Sequence, residues 1–274
     1  MKNAMIVGLV TGCLFTGFDA FSDEAIDVGS RKQLFIDDRF FAENDAITLV
    51  VNPPRKEEAV LRPERPWESK RVGAYSSVVE YGGKYLMWYD ASSFESRNVC
   101  YAESDDGVHW RRPPCNVVEF EGSMENNIVL KNAVGAVFLD EHGRPEERFK
   151  FIGRGCGGGG VTVGTSPDGI HWECRGMLLP FNADTQNQGF WDDRIGKYVA
   201  FLRAWTSNNR SVARVEMDDI TEPWPHTPPR GSSGPPGEGR TYGYIRGGEL
   251  PTVLAPDGLD PPDSDLYNLS LIHI

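Results

Sequence analysis

The sequence predicts an all-β protein made of repeated antiparallel units, a β-propeller. The main observation is a repeat: residues 104–110 (SDDGVHW) return as residues 166–172 (SPDGIHW), with five of the seven positions identical. The composition agrees, since 30 Gly, 19 Pro and 11% aromatic residues among 274 are typical of turn-rich β proteins. Multi-strand repeats of roughly 40–50 residues are typical of propeller blades.

An apolar stretch at residues 4–18 follows Lys2 and is too short to span a membrane. Residues 20–22 (AFS) add a small-x-small cleavage pattern, so we expect residues 1–22 to be a secretory signal peptide, with no transmembrane segment left after cleavage. Residues 10–13 (VTGC) resemble a loose lipobox, and a lipid anchor on Cys13 is the alternative. Both predict an exported protein, periplasmic or extracellular.

Each predicted unit has a turn that leads into a strand, followed by a shorter alternating strand. The turn-and-strand segments are residues 81–89, 148–152 and 192–202, and the shorter strands are residues 98–103, 161–165 and 211–216. In the repeated turn, Ser and Asp can bind backbone N–H groups, Gly allows a positive φ and Trp packs inward. We therefore interpret Asp106, Asp168, His109 and His171 as residues that close hairpins.

Polar residues precede the first strand of each unit. The innermost strand of every propeller blade begins at one mouth of the channel, so these residues are expected to converge on one axis. The predicted axial carboxylates are Glu68, Glu125 and Asp184, with Asp90 as a weaker candidate and Asp265 from an incomplete fourth unit. The predicted sugar-binding residues are Asn127, Gln186, Asn187, Trp67, Trp88 and Trp191.

Several motifs occur together: residues 34–40 (LFIDDRF), 65–68 (RPWE), 84–89 (KYLMWY), 184–187 (DTQN), 260–263 (DPPD) and the two SxDGxHW turns. In this combination the chain resembles the exported five-bladed β-propeller proteins of planctomycete type, which are glycosidase-like and related to glycoside hydrolase families 32 and 43. The resemblance extends over about residues 34–268. It implies that residues 23–268 form an N-terminal fragment of about three blades.

The resemblance also implies glycoside hydrolysis. Better-known enzymes of those families use an Asp nucleophile or base, a stabilising Asp and an acid Glu, one from each of the first three blades. Asp38 lies where the nucleophile would be expected, although an ion pair with Arg39 or a turn is the simpler interpretation. The chain lacks the WMNDPNG, RDP and EC signatures of family 32, so no catalytic residue is assigned by motif.

The expected function is that of a glycoside hydrolase-like protein acting on a poly- or oligosaccharide. Hydrolysis requires two carboxyl groups, ~5–5.5 Å apart for retention or ~6.5–9.5 Å for inversion. The alternative is a non-catalytic carbohydrate-binding or surface-interaction propeller. A sialidase is a third interpretation, and the acidic channel disfavours it because its substrate carries a carboxylate. The net charge of −12 excludes a nucleic-acid binder that works through bulk positive charge.

No cofactor is expected, because the five His show no ligand spacing, although a structural calcium on the axis would suit acidic and amide oxygens. After the leader, four cysteines remain: Cys100, Cys115, Cys156 and Cys174. They allow three disulfide connectivities or four free thiols. The glycine run at residues 157–160 precedes no helical pattern and is expected to be a hairpin loop.

Two C-terminal segments depart from the repeat. Residues 222–262 contain ten prolines and are expected to be an insertion between blades. Residues 269–274 (LSLIHI) resemble the in-frame translation of a transposon adapter used in sequencing libraries, and we expect them to be an artefact.

We therefore expect the natural reading frame to continue beyond codon 268 into further blades with SxDGxxW turns. Sequencing the source DNA past that codon tests this expectation. A stop codon directly after Ile274 would contradict both the fragment and the propeller, because three blades cannot close a ring.

Overall fold

The computed structural model describes residues 45–56, 58–225, 245–246 and 249–267, and also residues 26, 28, 29, 35, 40, 41, 43 and 269. The predicted signal peptide, Cys13, Asp38 and residues 226–244 of the predicted insertion lie outside the described residues. The chain divides into two compact units, residues 1–57 with Ile274 and residues 58–273. All strands of the described residues lie in the second unit.

Three antiparallel sheets follow one another along this unit. The first sheet consists of β1 (Arg71–Tyr81), β2 (Lys84–Ser92), β3 (Arg97–Ser104) and β4 (Trp110–Arg111), with β5 (Ile128–Leu130) also paired to β3. The second sheet consists of β6 (Val134–Leu139), β7 (Phe149–Arg154), β8 (Val161–Ser166) and β9 (Glu173–Leu179). The third sheet consists of β10 (Gln188–Asp192), β11 (Lys197–Thr206), β12 (Asn209–Met217), the short parallel β13 (Ile245–Arg246) and β14 (Thr252–Leu254).

The helical content of the described residues is limited to two single-turn 3₁₀ segments, Pro66–Glu68 and Pro145–Glu147. The predicted all-β class is therefore confirmed. The turn-and-strand segments that the sequence predicted at residues 81–89, 148–152 and 192–202 correspond to β2, β7 and β11 with their preceding turns.

The first strands of the three sheets are neighbours in space, because β6 contacts both β1 and β10. Between β1 and β6, the backbone N–H of Val137 donates a hydrogen bond of 2.9 Å to the hydroxyl of Ser77. Each sheet thus presents its first strand to the first strand of the next sheet. Consecutive blades around an axis have this arrangement, and the described sheets do not close into a ring.

The repeated turns owe their shape to local hydrogen bonds. Asp168 accepts bonds of 2.8 Å from the backbone N–H groups of both Ile170 and His171, and Trp172 donates its indole N–H to the carbonyl of Gly169. Burial acts to raise the pKa of Asp168, but the hydrogen bonds from His171 and its neighbours outweigh it and leave the pKa below its ordinary value. The residues of this turn close a hairpin, as their sequence predicts.

The second turn also joins the first two sheets. The indole N–H of Trp88 in β2 donates a 2.7 Å hydrogen bond to the carbonyl of Gly169, and Trp88 is only 2% exposed. A Cβ on Gly169 would lie 2.3 Å from the Trp88 ring. The prediction that Trp88 stacks on a sugar is therefore wrong, since its ring is enclosed between the two sheets.

A buried ion pair joins the second and third sheets. The Lys150 ammonium lies 2.7 Å from the Asp140 carboxylate, and both side chains are at most 2% exposed. Tyr198 of β11 donates a 2.7 Å hydrogen bond to the same carboxylate. Burial acts to raise the pKa of Asp140, but Lys150 and Tyr198 outweigh it and lower the pKa below its usual value. Tyr198 of the third sheet thus supplies a hydrogen bond to the buried ion pair of the second sheet.

One disulfide is present among the described residues, between Cys156 and Cys174. It ties the glycine-rich loop after β7 to strand β9. Cys100 and Cys115 are free thiols, and burial raises the pKa of Cys115 to about 12. The structure therefore matches neither expectation, full pairing or four free thiols: one pair is bonded and two thiols are free.

Replacing Gly169 by Ala should destabilise the protein more than replacing Gly107 by Ala. Both glycines have φ +76°, so each variant has the strain of a left-handed alanine, roughly 1–2 kcal/mol. The added methyl group meets the Trp88 ring at position 169, whereas at position 107 the nearest atoms are 3.8 Å away. Urea unfolding should show Gly169→Ala to be less stable by an extra ~1–3 kcal/mol. Equal losses would mean that the contact between the two sheets is not tight.

Candidate functional site

Three of the predicted site residues belong to a buried polar network inside the first sheet, which consists of Trp67, Glu68, Tyr89, Arg112 and Asn127. Tyr89 donates a 2.6 Å hydrogen bond to Glu68, and Asn127 donates one of 2.8 Å to the Tyr89 hydroxyl. Trp67 donates its indole N–H to Asn127 at 2.8 Å, and Arg112 lies 3.2 Å from Glu68. Glu68 is fully buried, so the structure gives it a structural role and not the predicted axial one.

Asp90 is also bound within the protein. Its carboxylate accepts two hydrogen bonds from the Arg97 guanidinium, at 2.7 and 2.8 Å, and lies 3.4 Å from Arg71. Only 3% of Asp90 is exposed, and Gly73 lies so close that a Cβ there would overlap the carboxylate. The weaker prediction of catalysis for Asp90 is corrected: this carboxylate orients two arginines.

Two other predicted residues lie away from the axial ends of the first strands. Glu125 is exposed and precedes β5, which is paired to β3 on the side of the first sheet away from β1. Trp191 lies near the far end of β10, where its ring stacks on His142 with centroids 3.5 Å apart. Neither is brought together with Asp184.

The structure instead assembles an axial cluster, which we define as Tyr75, Asp184, Thr185, Arg203 and Tyr267. Arg203 lies 3.0 Å from the Asp184 carboxylate and donates a hydrogen bond to the Tyr267 carbonyl. Its guanidinium lies 4.4 Å from the centroid of the Tyr267 ring. Thr185 donates a 3.1 Å hydrogen bond to the Tyr75 hydroxyl. The cluster thus connects β1 of the first sheet to the loop before β10 and to β11.

Two of the predicted amides hold this loop in place. Gln186 donates a 3.0 Å hydrogen bond to the carbonyl of Ser76 in β1, and Asn187 bonds to backbone groups of its own loop and of Arg203. Gln186 is 6% exposed and Asn187 is fully buried. They therefore position Asp184, and the structure leaves them little surface for the predicted contact with a sugar.

The charges of the axial cluster have unequal access to solvent. The Arg203 side chain is 1% exposed, whereas that of Asp184 is 34% exposed and can be reached by a ligand. The pKa of Tyr267 is lowered, chiefly by the hydrogen bond from Tyr75 and also by the hydrogen bond and positive charge of Arg203. The pKa of Tyr75 is raised, chiefly by burial. A ligand would meet one carboxylate and two phenol groups of different acidity.

Beside the cluster is a cleft of about 670 Å³. Its walls come from the start of β1, the β2–β3 loop, the start of β6, the end of β7 and residues 158–160. This volume is within the range of small-molecule sites, roughly 300–1,000 Å³. Arg97 lines the cleft and also lies 5.4 Å from the centroid of the Tyr75 ring, so the cleft and the axial cluster are adjoining.

Among the described residues, no group of three His, Cys, Asp or Glu side chains is suited to a metal ion, and the axial calcium stays a prediction. None of the helical segments that the structure describes has the length and apolarity to cross a bilayer.

No protein-family model and no curated protein matches the chain. Solved structures similar to it include a glycosyl hydrolase from Bacteroides ovatus (14% identity, 59% of this chain and 54% of that chain, TM-score 0.40). A second is a family 117 glycoside hydrolase from Zobellia galactanivorans, with 14% identity over 57% of this chain and 55% of that chain and a TM-score of 0.40. A third is an exo-1,5-α-L-arabinanase from a bovine ruminal metagenomic library, with 15% identity over 72% of this chain and 67% of that chain and a TM-score of 0.41. The chain spans little more than half of the first two proteins.

Sequence reasoning missed the residues that surround Asp184. Arg203 interrupts an otherwise apolar strand (YVAFLRAWT), and a lone arginine in such a strand indicates a buried charge with a partner. Tyr75 and Tyr267 are 192 positions apart, and no local pattern connects them. They meet only because the chain after the third sheet returns towards β1.

Replacing Glu68 by Gln should reduce stability by about 3 kcal/mol, because the buried Arg112 loses its buried carboxylate partner and keeps only the exposed Glu64. The exposed Glu125 provides a matched control, and Glu125→Gln should change stability by less than about 0.5 kcal/mol. Chemical denaturation of both variants measures the difference. Similar values for the two would show that the buried network does not stabilise the first sheet.

Proposed function

We propose that the protein is an exported, glycosidase-like carbohydrate-binding propeller whose sugar site is formed by the axial cluster and the adjoining cleft. The observation that carries this proposal is Asp184, a partly exposed carboxylate held by the buried Arg203, which also contacts Tyr267. Carboxylates accept hydrogen bonds from sugar hydroxyls, and tyrosines combine an apolar ring with a polar hydroxyl. The cleft offers room for sugar units next to these groups.

Hydrolysis is the second candidate, and Asp184 favours it. Cleavage of a glycosidic bond requires two carboxyl groups on either side of the bond. Of the predicted carboxylates in the described residues, Glu68 and Asp90 are buried against arginines, and Glu125 lies on another edge. Asp265, like Asp184, is partly exposed and paired with an arginine, Arg210. A hydrolytic site would therefore combine Asp184 with Asp265 or with a carboxylate outside the described residues. Binding without catalysis requires no such partner, and the geometry supports it better.

The architecture and the compartment are part of the proposal. Adjacent first strands in three consecutive sheets support a propeller, and five blades in a longer protein follow from the sequence resemblance. The disulfide between Cys156 and Cys174 supports export, because disulfides persist in oxidising compartments.

Replacing Asp184 by Asn in the full-length protein should weaken binding of the saccharide that a glycan screen identifies by about tenfold, the effect of losing a charged hydrogen-bond acceptor. Asp218→Asn is the matched control, since the Asp218 side chain is 88% exposed and belongs to a surface ion pair with Lys197. Calorimetric titration measures both, with thermal unfolding as a check on the fold.

The same pair of variants separates the two candidate functions. Turnover of a glycoside by the wild type that falls at least about 10³-fold in Asp184→Asn would indicate hydrolysis. Binding without turnover would indicate a binding protein. Unchanged affinity and no turnover effect in Asp184→Asn would remove this residue from the site.

A further inference from the structure

The cleft has a charge opposite to that of the whole chain. Four cationic side chains line it, those of Lys70, Arg71, Arg97 and Arg154. The carboxylates available to them among the described residues are Glu95, which also lines the cleft, and Asp90, which lies behind Arg71 and Arg97. Positive charge therefore exceeds negative charge in a protein whose net charge is −12. The acidic character that the sequence predicts for the channel does not extend to this cleft.

Two polar side chains in the cleft have unused hydrogen-bonding capacity. The Nε of Arg154 is buried and has no hydrogen-bond partner, and Arg154 forms no ion pair with any residue that the structure describes. The hydroxyl of Ser92 is also buried without a partner, in a residue that is 6% exposed. Buried polar groups without partners are costly, and most such groups in proteins are bonded. Both residues line the cleft. The two unpaired atoms themselves are buried, so the Arg154 guanidinium presents its other nitrogens to a ligand.

The backbone fixes the positions of these groups. Arg71 pairs with Ser92, and Ser92 pairs with Arg97, so the three lie side by side across β1, β2 and β3. Arg154 pairs with Val134 at the start of β6 in the second sheet, and both residues line the same cleft. Asp90 keeps the Arg97 fork in one orientation through two hydrogen bonds. Such preorganised cations suit a planar or tetrahedral oxyanion.

We propose that the cleft binds the anionic group of an acidic saccharide, a carboxylate or a sulfate ester, through the guanidinium groups of Arg154 and Arg71. This inference rests on the proposed carbohydrate-binding function and adds the class of sugar. Arg154 would supply a guanidinium that no described carboxylate neutralises. Arg97 stays bonded to Asp90 and links the anion site to the axial cluster.

The test uses the full-length protein and two pairs of polysaccharides in calorimetric titrations. Dextran sulfate is compared with dextran, and polygalacturonate with its methyl ester. We expect at least one charged member to bind about tenfold or more tightly than its neutral partner. Preference for polygalacturonate alone identifies a carboxylate, preference for dextran sulfate alone identifies a sulfate ester, and preference for both identifies a general oxyanion site.

Variants locate the effect in the cleft. Arg154→Gln should lower affinity for the charged polymer about tenfold and leave affinity for the neutral one unchanged. Lys70→Gln, at an exposed position of the cleft wall, should cause a smaller loss and tests the site even if Arg154→Gln folds poorly. Arg62→Gln removes one positive charge from an exposed residue that does not line the cleft, and it should have no effect.

Two results would overturn the inference. One is equal binding of charged and neutral polymers, which leaves the proposed carbohydrate binding standing. The other is an equal loss of affinity in Arg154→Gln and Arg62→Gln, which would mean that the attraction is not specific to the cleft. If no polymer of either kind binds, this inference fails, and the proposed function is decided separately by the glycan screen with Asp184→Asn.

Discussion

The hydrogen bond from the Trp88 indole to the Gly169 carbonyl sets how closely the first two sheets approach. This hydrogen bond requires glycine at position 169, because the Cβ of any other residue there would overlap the Trp88 ring. The turn that contains Gly169 is itself held by Asp168 and Ser166, so a locally determined hairpin becomes a docking surface for the preceding sheet. With these sheets in contact, the starts of β1 and β6 face one another and enclose the cleft.

The difference between the two copies of the turn shows what this contact adds. Both have the same backbone conformation at the glycine, with φ +76°. Gly107 in the first copy has only Tyr85 of its own sheet nearby, whereas Gly169 lies against another sheet. The conformation of the turn follows from its sequence, and its contacts follow from its place in the order of sheets.

The strands and turns were predictable because their causes are local. Alternating and aromatic residues, glycines with positive φ and Asp side chains that accept neighbouring N–H groups act within a few positions. The site was only partly predictable. Whether Glu68, Asp90 or Asp184 reaches solvent depends on Arg112, Arg97 and Arg203, which come from other parts of the chain. The composition indicates an acidic protein, but the fold places four cationic side chains around one cleft.

The contacts between sheets also determine the order in which the chain can fold. Trp88 finds its hydrogen-bond acceptor 81 residues later, and Asp140 receives the Tyr198 hydroxyl 58 residues later. During synthesis from the N-terminus, the polar groups of each sheet therefore stay incompletely bonded until the next sheet has emerged. Domains that depend on such distant contacts fold slowly and expose apolar surface meanwhile. A nascent chain that ends between the first two sheets would leave the Trp88 indole N–H without its acceptor.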